Sequence, residues 1–125
     1  MIYAIGLDLV EIDRIRRLHD RHGPRMINRL LGDGKQELAA QYRQPELFIA
    51  GRFAAKEAIV KGLGKWLENR PAWHEMQILA DASGQPYVQF ADRIRLALPT
   101  VKCLVSISHE RTHAAAVAIF TDDIS

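Results

Sequence analysis

The chain has 125 residues and a mass of 14.1 kDa, the size of one ordinary domain, which excludes a multidomain machine. Hydrophobic residues make up 48% of it and charged residues 26%, close to the globular average, so neither a disordered chain nor a fibrous repeat fits. Seventeen Lys and Arg against fifteen Asp and Glu leave a formal charge of +2, too small an excess to argue for a polyanionic partner by itself.

The N-terminal residues 2–8, Ile-Tyr-Ala-Ile-Gly-Leu-Asp, are short, apolar and β-rich and predict a buried strand ending in a carboxylate. They carry no basic leader and no apolar run of signal-peptide length, and no run in the chain approaches the roughly 20 residues that span a bilayer. The single Cys103 excludes an internal disulfide and fits a reducing compartment. The expectation is one soluble, cytoplasmic domain over residues 1–125, with no membrane contact.

From Glu11 the period changes. Ile12, Ile15 and Leu18 mark an apolar helical stripe and Arg14, Arg17 and Arg21 a basic one, with Arg25 following the Gly23-Pro24 break. Residues 26–31 suit a short helix or turn, and a further short helix is expected from the Gly32-Asp33-Gly34 loop to Tyr42. Residues 46–63 form the longest helical candidate, closed by Gly62 and Gly64. Residues 65–74 read as an irregular connection. Residues 76–80 and 86–90 flank a turn, 91–98 suit a helix ended by Pro99, and 102–109 and 114–120 suit two strands. Mixed rather than alternating element order predicts an α+β fold with an antiparallel sheet on a long central helix.

Candidate chemistry falls in three places. On the long helix Glu57 shares a face with Ala50, Phe53, Ala54, Val60 and Gly64, and Lys61 lies one turn on. A carboxylate on so apolar a helix requires a cation, a metal or a set of donors; the simplest partner is Lys61 as an i,i+4 ion pair. Lys56 and Arg52 lie on a separate stripe that suits solvent. Asp8 admits two readings, an acid capping the following helix or a ligand for a hard cation such as Mg²⁺. In Val105-Ser-Ile-Ser-His-Glu110, alternation sends Val105, Ile107 and His109 to one face and Ser106, Ser108 and Glu110 to the other. Serines and histidine on opposite faces form no nucleophile–base pair, and no Gly-x-Ser-x-Gly elbow is present, which argues against a serine hydrolase. The familiar zinc, Walker and dinucleotide motifs are missing as well. The basic stripe is either a solvated face or a dock for an acidic protein or nucleic acid; without interleaved aromatics or a base-reading motif, the acidic protein is favoured.

Three blocks, taken together, resemble the holo-acyl-carrier-protein synthases, the small phosphopantetheinyl transferases. They are Gly6-Leu-Asp-Leu-Val-Glu-Ile-Asp-Arg-Ile15, Arg52-Phe-Ala-Ala-Lys-Glu-Ala-Ile-Val-Lys-Gly-Leu-Gly64 and Val105-Ser-Ile-Ser-His-Glu110 with the Ala-rich strand after it. Their order, the chain length and the intervening Gly84-Gln-Pro86 extend the resemblance over nearly the whole sequence. The resemblance implies a phosphopantetheinyl-transferase-like fold and Mg²⁺-dependent transfer of 4′-phosphopantetheine from coenzyme A to a serine of an apo acyl carrier protein. It implies Asp8 and Glu57 as metal ligands and catalytic groups, Lys61 as a catalytic and phosphate-binding cation, and Arg52 and His109 as coenzyme contacts. Arg14, Arg17, Arg21 and Arg25 become the dock for the acidic carrier, and a homotrimer is the implied assembly. The sequence departs from the family at Gly62, where alanine is usual, and after Gly64, where Lys65-Trp-Leu-Glu-Asn-Arg-Pro71 replaces a Gly-Thr-Gly type loop. Two rival readings are a non-catalytic module binding an acidic carrier or nucleic acid through its Arg face, and another small enzyme using Mg²⁺ and a nucleotide.

Overall fold

The computed structural model describes residues 1–32 and 43–123. Its strands are β1 (Ile2–Glu11), β2 (Met76–Ala80), β3 (Pro86–Phe90), β4 (Val101–His109) and β5 (His113–Asp122). Its helices are α1 (Ile12–His22), α2 (Pro24–Leu31), α3 (Pro45–Leu63) and α4 (Asp92–Ala97), with one 3₁₀ turn at Trp73–Glu75. The strands form one antiparallel sheet in the order β1-β5-β4-β3-β2, and α3 packs across one of its faces. The fold is α+β, as the element order implies. The helix expected before Tyr42 lies outside the described residues.

β1 is longer than the apolar run 2–8. Pairing with β5 continues from Ala4↔Phe120 through Asp8↔Ala116 to Glu11↔His113, so the ladder holds polar residues that composition alone assigns to a helix start. Asp8 therefore lies inside a strand. The residue before α1 is Glu11, whose extended backbone makes no side-chain cap bond, so the capping reading of Asp8 is not what forms.

Small residues bring α3 close to the sheet. Ala50, Ala54, Ala55 and Ala58 on the helix and Ala114, Ala116 and Ala118 on β5 are all buried, and the helix packs along that strand. Gly6 on β1 faces the helix backbone so closely that a Cβ there would run into the Ala58 carbonyl oxygen. Gly62, the departure from alanine, has a similar cause: a Cβ would enter the ring of the fully buried Phe120, which Trp66 backs at a centroid distance of 5.3 Å. The glycine costs about 1 kcal/mol of helix propensity and makes room for an aromatic side chain of the core.

Lys56 corrects the sequence reading. It is not solvated but 1% exposed, and its ammonium donates to the carbonyl oxygens of Leu30 (2.5 Å) and Trp73 (2.9 Å). A buried ammonium is tolerated only when its donors are met. Here the carbonyls that meet it belong to the end of α2 and to the 3₁₀ turn, so one side chain ties both to the centre of α3. Arg52, on the same stripe, is half-buried and stacks over the Phe48 ring at 4.7 Å.

Among the described residues, the opposite face of the sheet carries a row of exposed apolar side chains. Register places Ile5, Ile119, Leu104 and Tyr87 side by side across four strands, and Leu7 beside Val117 in the next row. Ile5, Leu7, Leu9 and Leu104 are among the most exposed large apolar residues of the chain.

Beyond the sheet, Glu75 locks the 3₁₀ turn to α4. Its two carboxylate oxygens accept from Arg93 at 2.7 and 2.8 Å, and one also accepts the Ala72 amide at 2.9 Å. The Arg93 bonds, then the amide, hold the Glu75 carboxyl down at about 2. A carboxyl depressed on folding contributes stability that is complete above its unfolded value near 4.5 and is lost as pH falls toward 2. Glu75→Gln is therefore expected to lower stability at pH 7 and to flatten its decline between pH 4.5 and 2. Urea unfolding of both proteins across that range checks this, and parallel pH profiles would sink it.

Candidate active site

Two charged groups of sites lie on the helix-covered face of the sheet. The first surrounds Asp8. Its carboxylate, 16% exposed, accepts from Lys61 Nζ at 3.3 Å, and the same ammonium donates to the Leu7 carbonyl oxygen at 2.7 Å. Lys61 thus crosses from α3 to β1 rather than pairing back along its own helix. Glu57, one turn before it and 21% exposed, is instead held by Arg70, whose guanidinium donates to Glu57 Oε1 at 2.6 Å. The Glu57–Lys61 ion pair expected from spacing does not form. Two crossed pairs, Asp8–Lys61 and Glu57–Arg70, take its place.

The second group lines an open groove of about 610 Å³ between the start of α3 and strands β2 to β4. Arg52 and His109 both line it, with Arg43, Phe48, Pro86 and Ile107. Gly51 brings α3 onto β4 here, since a Cβ would lie 2.9 Å from Ile107 Cγ2. Arg43 and Phe48 carry no motif that singles them out in the sequence; only the groove identifies them.

Register connects the two places. Asp8 pairs with Ala116, and Ala116 with Ile107, so the first carboxylate and the groove wall occupy one row of the sheet, two strands apart. At the usual strand spacing that is roughly 10 Å. α3 follows the same diagonal, with Gly51 at the groove and Ala58, next to Glu57, against Gly6 on β1. The structure therefore places Asp8, Glu57 and Lys61 toward one end of the contact between α3 and the sheet and Arg52 and His109 toward the other.

Carboxylate oxygens are the donors a hard divalent cation takes. Among the described residues no group of three or more His, Cys, Asp and Glu side chains comes together. Asp8 and Glu57 thus fit an ion that completes its shell with water and substrate oxygens, the habit of Mg²⁺, and do not fit a closed zinc cage. Burial pushes the Cys103 thiol up to about 12, which leaves it protonated and unsuited to nucleophilic work.

Arg14, Arg17, Arg21 and Arg25 are all exposed on α1 and α2. Arg14 reaches over the Phe53 ring at 5.9 Å, and Phe53 tilts against Trp73 at 5.8 Å. Beside the arginines lies a second cavity of about 310 Å³, walled by Leu18, Met26, Phe53 and Trp73. The sequence pattern reveals the basic stripe but not this apolar pocket, whose walls come from four separate elements.

Comparison with known proteins gives a consistent result. The model of the 4′-phosphopantetheinyl transferase superfamily matches residues 4–118. The chain is 38% identical over 121 residues to a holo-[acyl-carrier-protein] synthase of Protochlamydia amoebophila, covering 97% of this chain and 99% of the relative. Its fold is similar to the crystal structure of the holo-[acyl-carrier-protein] synthase of Neisseria meningitidis, with a TM-score of 0.83, 28% identity, and coverage of 98% and 100%. It is likewise similar to a holo-(acyl-carrier-protein) synthase of Bacillus anthracis in complex with CoA (3′,5′-ADP), with a TM-score of 0.79, 26% identity, and coverage of 98% and 99%.

Proposed function

The chain belongs to the 4′-phosphopantetheinyl transferase superfamily, and on that premise we propose that it transfers 4′-phosphopantetheine from coenzyme A to a serine hydroxyl of an apo acyl carrier protein. The observation that supports this reading is that Asp8, with Lys61 bonded to it and Glu57 one helical turn away, lies two strands from Ile107 in the wall of a groove lined by Arg52 and His109. Coenzyme A has the matching shape: a diphosphate joined to a phosphorylated nucleoside. A groove of about 610 Å³ also falls within the range of small-molecule sites.

In this assignment Arg52, His109 and Arg43 hold the nucleotide half in the groove, where guanidinium groups suit its 3′-phosphate. Lys61 donates to an oxygen of the diphosphate. Asp8 and Glu57 would hold Mg²⁺, which when bound offsets charge on the diphosphate during phosphoryl transfer. The carrier serine oxygen bonds to the phosphorus nearer the pantetheine arm as the bridging P–O bond breaks. The bridging oxygen leaves with adenosine 3′,5′-bisphosphate, and the serine proton passes to a base. The nucleophile belongs to the partner, so no serine of this chain requires activation.

Carrier docking falls to the arginine face. Arg14, Arg17, Arg21 and Arg25 supply charge that steers an acidic partner, and the apolar pocket beside Arg25 offers a seat for a hydrophobic side chain of it. Reversing Arg14 and Arg21 to Glu is expected to raise the KM for carrier at least 10-fold and that for coenzyme A less than 2-fold. Steady-state kinetics with each substrate varied in turn checks this, and equal effects on both would remove the docking role. The exposed apolar sheet face is assigned to self-association as a homotrimer, with the cytoplasm as the working compartment.

The direct test incubates an apo carrier protein with this protein, coenzyme A and Mg²⁺ and reads its intact mass. A phosphopantetheine-sized gain that disappears without the metal is the expected result. A folded protein that binds the carrier yet adds no mass would be a binding module instead.

A further inference from the structure

Charge around Asp8 and Glu57 is closely matched. Two carboxylates, Asp8 and Glu57, meet two cations, Lys61 and Arg70, one to each. Arg70 comes from the segment that departs from the family pattern, and its position is built rather than casual. The next residue, Pro71, is buried, and the guanidinium also lies 5.1 Å from the centre of the Trp73 ring. A divalent cation approaching Glu57 therefore meets a permanent positive charge already bonded to Oε1.

We propose that Arg70 is a positioning residue that caps Glu57 and makes divalent-cation binding conditional on the coenzyme's diphosphate. The proposal rests on the assignment of Glu57 as a metal ligand made above. With Arg70 in place, the four side chains sum to zero, so an arriving divalent ion gains little net attraction and is repelled by two nearby cations. The diphosphate changes that balance. It brings negative charge for the metal and an alternative acceptor for the Arg70 guanidinium, which at 53% side-chain exposure is free to turn toward it. Metal and coenzyme then favour one another's binding, and by linkage the coupling is the same in both directions.

Mn²⁺ titration followed by the electron paramagnetic resonance of the free ion tests this without turnover. The parent protein, Arg70→Ala, Arg70→Lys and Glu57→Gln are each titrated with and without coenzyme A. Arg70→Ala is expected to bind Mn²⁺ at least 5-fold more tightly than the parent when coenzyme is absent, and to gain correspondingly less from adding it. Arg70→Lys, which keeps the charge, is expected to stay within 2-fold of the parent. Glu57→Gln is expected to lose most of the binding in either case. If Glu57→Gln weakens Mn²⁺ binding while Arg70→Ala leaves it unchanged or also weakens it, the Arg70 proposal is overturned and the Glu57 assignment stands. If Glu57→Gln binds like the parent, the assignment itself fails and the proposal with it.

Discussion

Glu57→Gln is expected to lower turnover at least 10³-fold while leaving the circular dichroism spectrum and melting temperature close to those of the parent. The substitution keeps the size of the side chain and removes its charge. Three decades of rate correspond to about 4 kcal/mol of transition-state stabilisation, within what a charged group at a phosphoryl-transfer centre supplies through the metal it holds. The structural cost is small by comparison. Its ion-pair partner Arg70 is 53% exposed, and pairs of that kind contribute at most about 1 kcal/mol. A Glu57 that served only to anchor the 64–72 segment would give the opposite pattern, a lowered melting temperature with turnover within 10-fold of the parent. Single-turnover kinetics with saturating coenzyme and carrier, alongside thermal unfolding, separates the two.

Gly6→Ala is expected to destabilise the fold by about 3 kcal/mol or more, at the upper end of what overpacking a core costs. The atom a new Cβ would strike is the Ala58 carbonyl oxygen, and backbone in mid-helix cannot step aside as a side chain does. Strand and helix would have to separate along the contact that brings Lys61 to Asp8, so activity is expected to fall along with stability. Gly62→Ala provides the comparison. The obstruction there is the Phe120 ring, which can tilt, and alanine recovers about 1 kcal/mol of helix propensity. Its net cost is therefore expected to be smaller. Urea denaturation of both variants measures the difference, and a Gly6→Ala loss below 1 kcal/mol would refute the close-approach argument.

These two glycines mark where sequence reasoning reaches its limit. Hydrophobic period and turn residues predict nearly every described element because they act over a few neighbouring residues. The end of β1 does not follow from them, since the polar stretch to Glu11 is held by a β5 more than a hundred residues away in the chain. Lys56 illustrates the same limit. Nothing local distinguishes a lysine in water from one bonded to carbonyl oxygens of Leu30 and Trp73, which are 26 and 17 residues distant. The candidate site was legible as Asp8, Glu57, Lys61, Arg52 and His109 because three blocks together resemble a known family. The pairing among them was not. Spacing along one helix favours Glu57 with Lys61, whereas the tertiary contact of α3 with β1 sends Lys61 to Asp8 and leaves Glu57 to Arg70. Arg43 and Phe48 were illegible for a similar reason, their groove having walls from four elements.

On the proposed homotrimer, the row of Ile5, Ile119, Leu104 and Tyr87 would make the stability of this protein a function of how much of it is present. A lone chain keeps that row hydrated, whereas copies that cover it for one another favour the folded form by mass action, by about 2.7 kcal/mol at a hundredfold excess over the dissociation constant. Dilution should then act as a denaturant: a hundredfold drop in concentration is expected to lower the melting temperature by several degrees, and Leu7→Lys should abolish that dependence. The outer face would also reverse the ordinary tolerance of surfaces to change. Polar substitutions there, which a solitary domain would accept, would dissolve the assembly and take part of the fold's stability with it.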